Sequence, residues 1–268
     1  MKKFLSMMAL AAMSVCALVS CGGDDDDSPK GTSSTSKPQS ITVKNNGKQV
    51  SIKMILVKAG TFTMGDEFGI GYNDELPTHS VTLTQDYYMG ETEVTQELWE
   101  TVMGTNPSSF KGENLPVEKV SWNDCQQFIN KLNKLTGKKF RLPTEAEWEF
   151  AARGGNKSKG YQYSGSNKIG EVTWYYENSN SETHPVKTKA PNELGIYDMS
   201  GNVWEWCQDF YDNYNSGSQT NPTGPSSGST RVNRGGSWLN NLGSCRSSNR
   251  TFNAPGTAYN YLGLRLAL

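Results

Sequence analysis

Cysteine and histidine are scarce in this chain of 268 residues, which has five of the former and two of the latter. Cys16 and Cys21 sit in or beside an apolar N-terminal stretch, leaving Cys125, Cys207 and Cys245 for the rest, with no C-x-x-C pair among them. A zinc or iron centre needs a denser cluster of thiolates and imidazoles, so none is expected. Excess positive charge is also missing: 26 Lys and Arg stand against 27 Asp and Glu, for a net charge of −1. The two signs are interspersed, which leaves no basic stripe for a nucleic-acid backbone. No apolar run reaches the roughly 20 residues that a helix needs to cross a bilayer.

The apolar run that does exist, Phe4 to Val19 behind Lys2 and Lys3, reads as a signal peptide over residues 1–20. Leu18-Val19-Ser20-Cys21 puts a small residue before a cysteine and resembles a lipobox, at which bacteria attach lipid to the cysteine and cut before it. An ordinary cleaved signal with an incidental cysteine is the alternative. Cys16 is the poorer candidate because bulky Val15 precedes it. Asp24 to Asp27 resemble the surface-export signal of lipoproteins in Bacteroides-type bacteria, or serve as a solvated run that extends the chain. The resemblance implies a lipoprotein anchored to the outer membrane through Cys21 and exposed at the surface. Residues 21–40 are almost all small, polar or charged, and such a segment cannot offset its ordering entropy by burial. They are expected to form a disordered stalk, and residues 41–268 one domain.

Several local signals are legible in that domain. Ile41 to Lys44 and Lys48 to Val57 flank Asn45-Asn46-Gly47, a turn suited to positive φ, and predict a hairpin. Thr61 to Met64 and the alternating His79 to Thr84 predict strands. One helix is expected from Thr95 through Met103. A second starts at Ser121, carries Cys125, Phe128, Ile129, Leu132 and Leu135 on its apolar face, and stops at Gly137. A third follows the capping box Thr144-Glu145-Ala146-Glu147, with Trp148, Ala151 and Ala152 buried. Beyond Arg153 the chain is rich in Gly, Asn, Ser, Tyr and Trp and shows no long periodic element. Cys125 is expected to be a small core residue, and a Cys207–Cys245 disulfide is one option in an oxidising location.

Six motifs occur in one order: Met54 to Gly65, Glu91-Thr92-Glu93-Val94-Thr95, Pro116 to Trp122, Arg141 to Glu149, Gly201-Asn202-Val203-Trp204-Glu205-Trp206 and Arg234-Gly235-Gly236-Ser237-Trp238. The series resembles the sulfatase-modifying factor, or formylglycine-generating enzyme, family and covers nearly all of the chain from Met54 onward. It implies an irregular, loop-rich α+β fold related to C-type lectins. The family's best-known members oxidise a substrate cysteine through two copper-binding cysteines that follow the Gly-Gly-Ser element. Here the first of those positions falls on Asn240, and the second is ambiguous with Cys245. Ser237 and Trp204 match oxidase positions, but in motifs that non-oxidase members share. An amide is no thiolate ligand and a lone cysteine cannot rebuild the pair that Cu(I) favours, so copper is not expected. Fold membership is not activity.

The resemblance further implies a calcium site at Asp198, Gly201, Val203 and Glu205, two carboxylates and two carbonyls that suit a hard cation. The alternative is that Glu205 pairs with an arginine. Past Ser237 the chain resembles the variable region of diversified lectin-fold proteins, in which exchangeable positions favour Asn, Tyr, Ser, Thr and Phe. Trp238, Asn240, Asn241, Thr251, Phe252, Asn253, Thr257, Tyr259, Asn260 and Tyr261 are the candidate ligand-binding residues, since Tyr with Asn or Thr makes an adaptable surface. The alternative places the aromatics in the core.

Asp66, Glu67, Asp74 and Glu75 read as a solvated acidic loop, and His184 as a hydrogen-bonded structural residue. The expectation is therefore a lipid-anchored module that binds a protein or glycan. An oxidase acting on sulfatase cysteines and a subunit of a surface assembly are the alternatives.

Overall fold

A computed structural model describes residues 37–268. The signal peptide, Cys21 and most of the stalk lie outside the described residues. β1 (Gln39–Asn45) already includes Gln39 and Ser40, which pair with Met54 and Lys53, so the ordered domain begins two residues earlier than composition suggested. β2 (Lys48–Val57) returns from β1 through Asn46 and Gly47, at φ 47° and 79°. That two-residue turn with both φ positive matches the twist of the flanking strands and fixes the register Asn45↔Lys48.

The remaining strands are β3 (Gly60–Met64), β4 (His79–Leu83), β5 (Tyr87–Gly90), β6 (Trp204–Phe210), β7 (Gln219–Thr220), β8 (Arg231–Arg234), β9 (Arg250–Asn253) and β10 (Leu262–Gly263). They form three small sheets, ordered β1-β2-β5, β3-β4-β7 and β10-β6-β8-β9. The helices longer than a single turn among the described residues are α1 (Gln96–Met103), α2 (Trp122–Thr136) and α3 (Glu145–Ala152). Each begins where a side chain takes an otherwise orphaned N–H. Thr95 accepts from Leu98, Ser121 from Asp124, and Thr144 from Glu147, the last two as reciprocal capping boxes. α1 and α2 end at Gly104 and Gly137, at φ 84° and 68°, where a left-handed residue terminates the hydrogen-bond ladder.

One apolar cluster joins the hairpin, α1, α2 and β6; Trp99 stacks on Phe128 at 4.8 Å between ring centres. Leu135, counted in the apolar face of α2, is 41% exposed because it falls in the last turn, beyond the packed face that stops at Leu132. A second cluster surrounds α3, with Trp148 and Phe150 against Val57, Met64, Met89, Cys207 and Val232. Cys207 and Cys245 are both free and belong to different clusters, so the disulfide option is not taken up. Cys125 is a buried core residue, as expected.

The sheet β10-β6-β8-β9 lies wholly in the region where no periodic element was expected. β6 is buried on both faces along most of its length, which removes the alternation that would mark a strand. Among the described residues, no helix is long and apolar enough to cross a membrane.

Candidate functional site

Four arginines fix the path of the C-terminal segment, and each is buried on a carboxylate. Arg234 bonds Glu149 and the Ser247 and Ser248 carbonyls. Arg246 reaches both oxygens of Glu75 at 2.5 Å, and Arg250 both oxygens of Glu145 at 2.8 and 2.7 Å. Arg265 clasps Glu205 at 2.7 Å and also donates to the Gly90 and Tyr197 carbonyls. A planar guanidinium presents donors in a fixed fork, so each pair sets direction as well as distance.

The acidic loop is therefore not solvated as a whole. Asp66 and Glu75 are buried, and only Glu67 is exposed. Burial pushes the Glu75 carboxyl up, but Arg246, the Tyr72 N–H and Asn249 outweigh it and hold the group at about 2. Capture by Arg246 also draws the loop, with Tyr72 and Asp74, onto the C-terminal segment.

Between the anchored arginines lies a groove of about 420 Å³. Leu239, Asn240, Thr251, Phe252, Asn253 and Tyr261 line it, opposite Tyr72, Asp74 and Trp204. Phe252 is 48% exposed, and its ring leans on Tyr211 with centres 4.3 Å apart. Tyr259, beside the groove in sequence, stacks on Tyr261 at 4.9 Å. Asn241 is exposed and takes the Gly243 N–H at the start of the short 3-10 helix Leu242–Cys245. Thr257 and Asn260 do not line the groove. Trp238 is not a surface residue either: it is buried edge-on to Phe110, and its Nε1 donates to the Asn260 carbonyl. The indole needs that buried acceptor, which makes it a prop beneath the loop.

At the groove floor, the positions that resemble an oxidase centre form a different network. Asn240 Oδ1 accepts from Trp204 Nε1 at 2.9 Å and lies 2.5 Å from Ser237 Oγ. An amide oxygen holding two donors thus occupies the position that the family resemblance aligns with the oxidases' first cysteine. The Cys245 thiol is fully buried, pushed up to about 12 by that burial, with Sγ 3.7 Å from the Asn241 carbonyl. A reactive cysteine needs the opposite, an exposed and stabilised thiolate. Gly236 packs against it at φ 76°, where an added Cβ would come within 2.8 Å of Sγ.

Asp198, Gly201, Val203 and Glu205 lie under this floor with Glu93. Arg265 donates to both Glu205 oxygens, and Trp148 Nε1 adds a bond of 2.6 Å to Oε2. Asp198 accepts from the Lys187 N–H, and Glu93 from the Val203 N–H and the Asn202 amide. Burial, then the charges of Asp198 and Glu205, push the Glu93 carboxyl well up. Gly201 has φ 82° and passes so close to Trp174 that a Cβ would sit 2.2 Å from its carbonyl oxygen. His184 stacks on Trp174, and its Nε2 lies 2.8 Å from the Ser179 carbonyl, the structural role expected of it. Among the described residues, no group of three or more His, Cys, Asp or Glu side chains is arranged to hold a metal ion.

Comparison with known proteins decides the family. The sulfatase-modifying factor enzyme 1-like domain matches residues 39–268. The chain belongs to this family. Chaperone protein LppX of Paenibacillus barcinonensis is 36% identical over 243 residues, covering 72% of this chain and 81% of that protein. The formylglycine-generating enzyme of Streptomyces coelicolor is 31% identical over 284 residues, 80% of this chain and 88% of that enzyme. Among solved structures, Treponema denticola variable protein 1 superposes with a TM-score of 0.78 at 35% identity, covering 86% of this chain and 99% of that one. The loop-rich α+β architecture is thus that of the sulfatase-modifying-factor domain. Tyr72, Asp74, Asn249 and Arg250 are among the groove residues that sequence reasoning missed, and for the first two the signal available was an apolar-aromatic rim, Phe68, Ile70 and Tyr72, within an acidic loop.

Proposed function

We propose that this sulfatase-modifying-factor domain is a displayed binding module whose ligand, a protein or glycan, docks in the groove between the anchored arginines. The observation that carries this reading is convergence: five of the ten candidate residues, Asn240, Thr251, Phe252, Asn253 and Tyr261, line one cavity. Tyr and Phe supply rigid contact area there, while Asn and Thr supply adaptable hydrogen bonds. The names of two relatives, a chaperone and a variable protein, suit a binding role, and the second suits exchangeable groove positions. A Cys21-linked lipid would hold the module at the outer membrane, facing outward. Asn240 in a cysteine's place and the inert Cys245 thiol argue against cysteine oxidation.

The test screens the full chain against glycan arrays and extracellular proteins, then repeats each hit with Phe252→Ala and Asn253→Ala. Binding should weaken by about tenfold, a loss of about 1.4 kcal/mol, at an unchanged melting temperature. Hits indifferent to both substitutions would refute the groove. Stoichiometric Cu(I) binding abolished by Cys245→Ser would restore the oxidase reading. The anchor requires lipid labelling that Cys21→Ser removes.

Calcium at Asp198, Gly201, Val203 and Glu205 is a second proposal, supported by charge balance. Asp198 and Glu205 are both buried there, with Arg265 the one guanidinium beside them. A cation taking oxygen donors would pin the irregular loop. Calcium should then raise the melting temperature reversibly with EDTA, and no response would sink the proposal.

A further inference from the structure

The long wall of the groove is β9, and β9 is the edge of its sheet: among the described residues nothing pairs with its outer side. An antiparallel strand directs its N–H and C=O groups alternately to the two sides. β9 spans four residues, so two of them point their backbone groups away from β8, and no other backbone group among the described residues takes them up. Side chains alternate between the faces of a strand. Phe252 belongs to one face, Thr251 and Asn253 to the other, and all three line the groove. A cavity reached from both faces of a strand runs along its edge.

Of the usual protections of an edge, β9 has its shortness but neither an exposed charge nor a proline on it. β9 carries neither Lys nor Pro, and the charge of Arg250 is buried on Glu145. At the opposite edge of the same sheet the chain leaving β10 is paired instead, the Leu264 carbonyl accepting from the Val94 N–H.

We infer that the groove takes an extended polypeptide segment, which pairs with β9 as an added strand. This rests on the groove reading and names its ligand class. Only an extended backbone offers donors and acceptors at the strand's own repeat, about 3.3 Å per residue. Alternate side chains of that segment would meet the exposed rim formed by Tyr72, Leu239 and Phe252.

The experiment pans a phage library of linear dodecapeptides on the full chain, then remakes a selected peptide with its amides N-methylated in one alternating set or the other. Methylation removes a donor and adds bulk on one edge of the peptide only. One set should weaken binding by about tenfold or more and the other by less than about twofold, with amide exchange slowed at Thr251 to Asn253. Equal effects of the two sets, or retention of no peptide, overturn strand addition. A glycan retained by the chain and lost with Phe252→Ala would overturn strand addition while leaving the groove reading intact. Peptides that bind independently of Phe252 and Asn253 would remove both.

Discussion

Around α2 the buried contacts are apolar: Phe128, Ile129 and Leu132 face Trp99 and the hairpin, and the nearby pair Lys48–Glu100 stays at the surface. From Arg234 to Arg265 the buried contacts are ionic, with four guanidiniums on four carboxylates. Apolar packing is non-directional and accepts any side chain of similar volume. A guanidinium fork admits one partner in one orientation. The ionic region can therefore hold an irregular backbone in place while some residues between its anchors, such as Phe252 and Tyr259, stay exposed.

The largest effect expected comes from breaking one anchor. Arg246→Ala leaves Glu75 buried without a counter-charge and should cost about 3–5 kcal/mol in urea unfolding. The double change Glu75→Leu with Arg246→Met should recover most of that loss, because a well-packed apolar pair replaces a buried ion pair at little cost. A loss under about 1 kcal/mol for the single change would mean that the anchors are incidental.

Conservative swaps sharpen the contrast. Arg250→Lys loses the two-pronged contact with Glu145 and should cost about 1–3 kcal/mol, whereas Leu132→Met beside α2 should cost under about 1.5 kcal/mol. Equal costs would erase the distinction between the regions.

Acid should loosen the ionic region selectively. The Glu75 carboxyl is held at about 2 when folded, below its ordinary value near 4.5. Its contribution to stability is thus fully present above the unfolded pKa and is lost as pH falls from there towards 2. Glu75→Gln should flatten that part of a stability–pH curve, and an unchanged slope would count against the pair. The smallest effect belongs to the groove surface: Phe252→Ala and Tyr259→Ala should each change stability by under about 1 kcal/mol. Unfolding by either would make these rings core.

What could be read from the sequence follows the same division. The hairpin and the three helices were legible because their signals are local: Asn46-Gly47, Ser121 with Asp124, and Thr144 with Glu147 each act within a few residues. β6 and β8 were not, since both are largely buried on two faces and their pairing joins distant segments. Burial of the acidic loop was illegible for the same reason, its partner Arg246 lying 171 positions from Glu75. The groove residues showed themselves only as a biased composition. That bias identified Phe252 and Asn253 but could not separate the buried Trp238 from them.

The bond between Glu75 and Arg246 also has a bearing on time. Closing so long a loop costs entropy before any contact repays it, and such contacts form late. Glu75→Gln should therefore quicken unfolding far more than it slows folding in stopped-flow measurements, and the reverse would place the pair in the nucleus. Because the same bond brings Tyr72 to the groove, the groove is assembled only at the end of folding. On the proposed reading, an incompletely folded chain would have no groove with which to hold a partner.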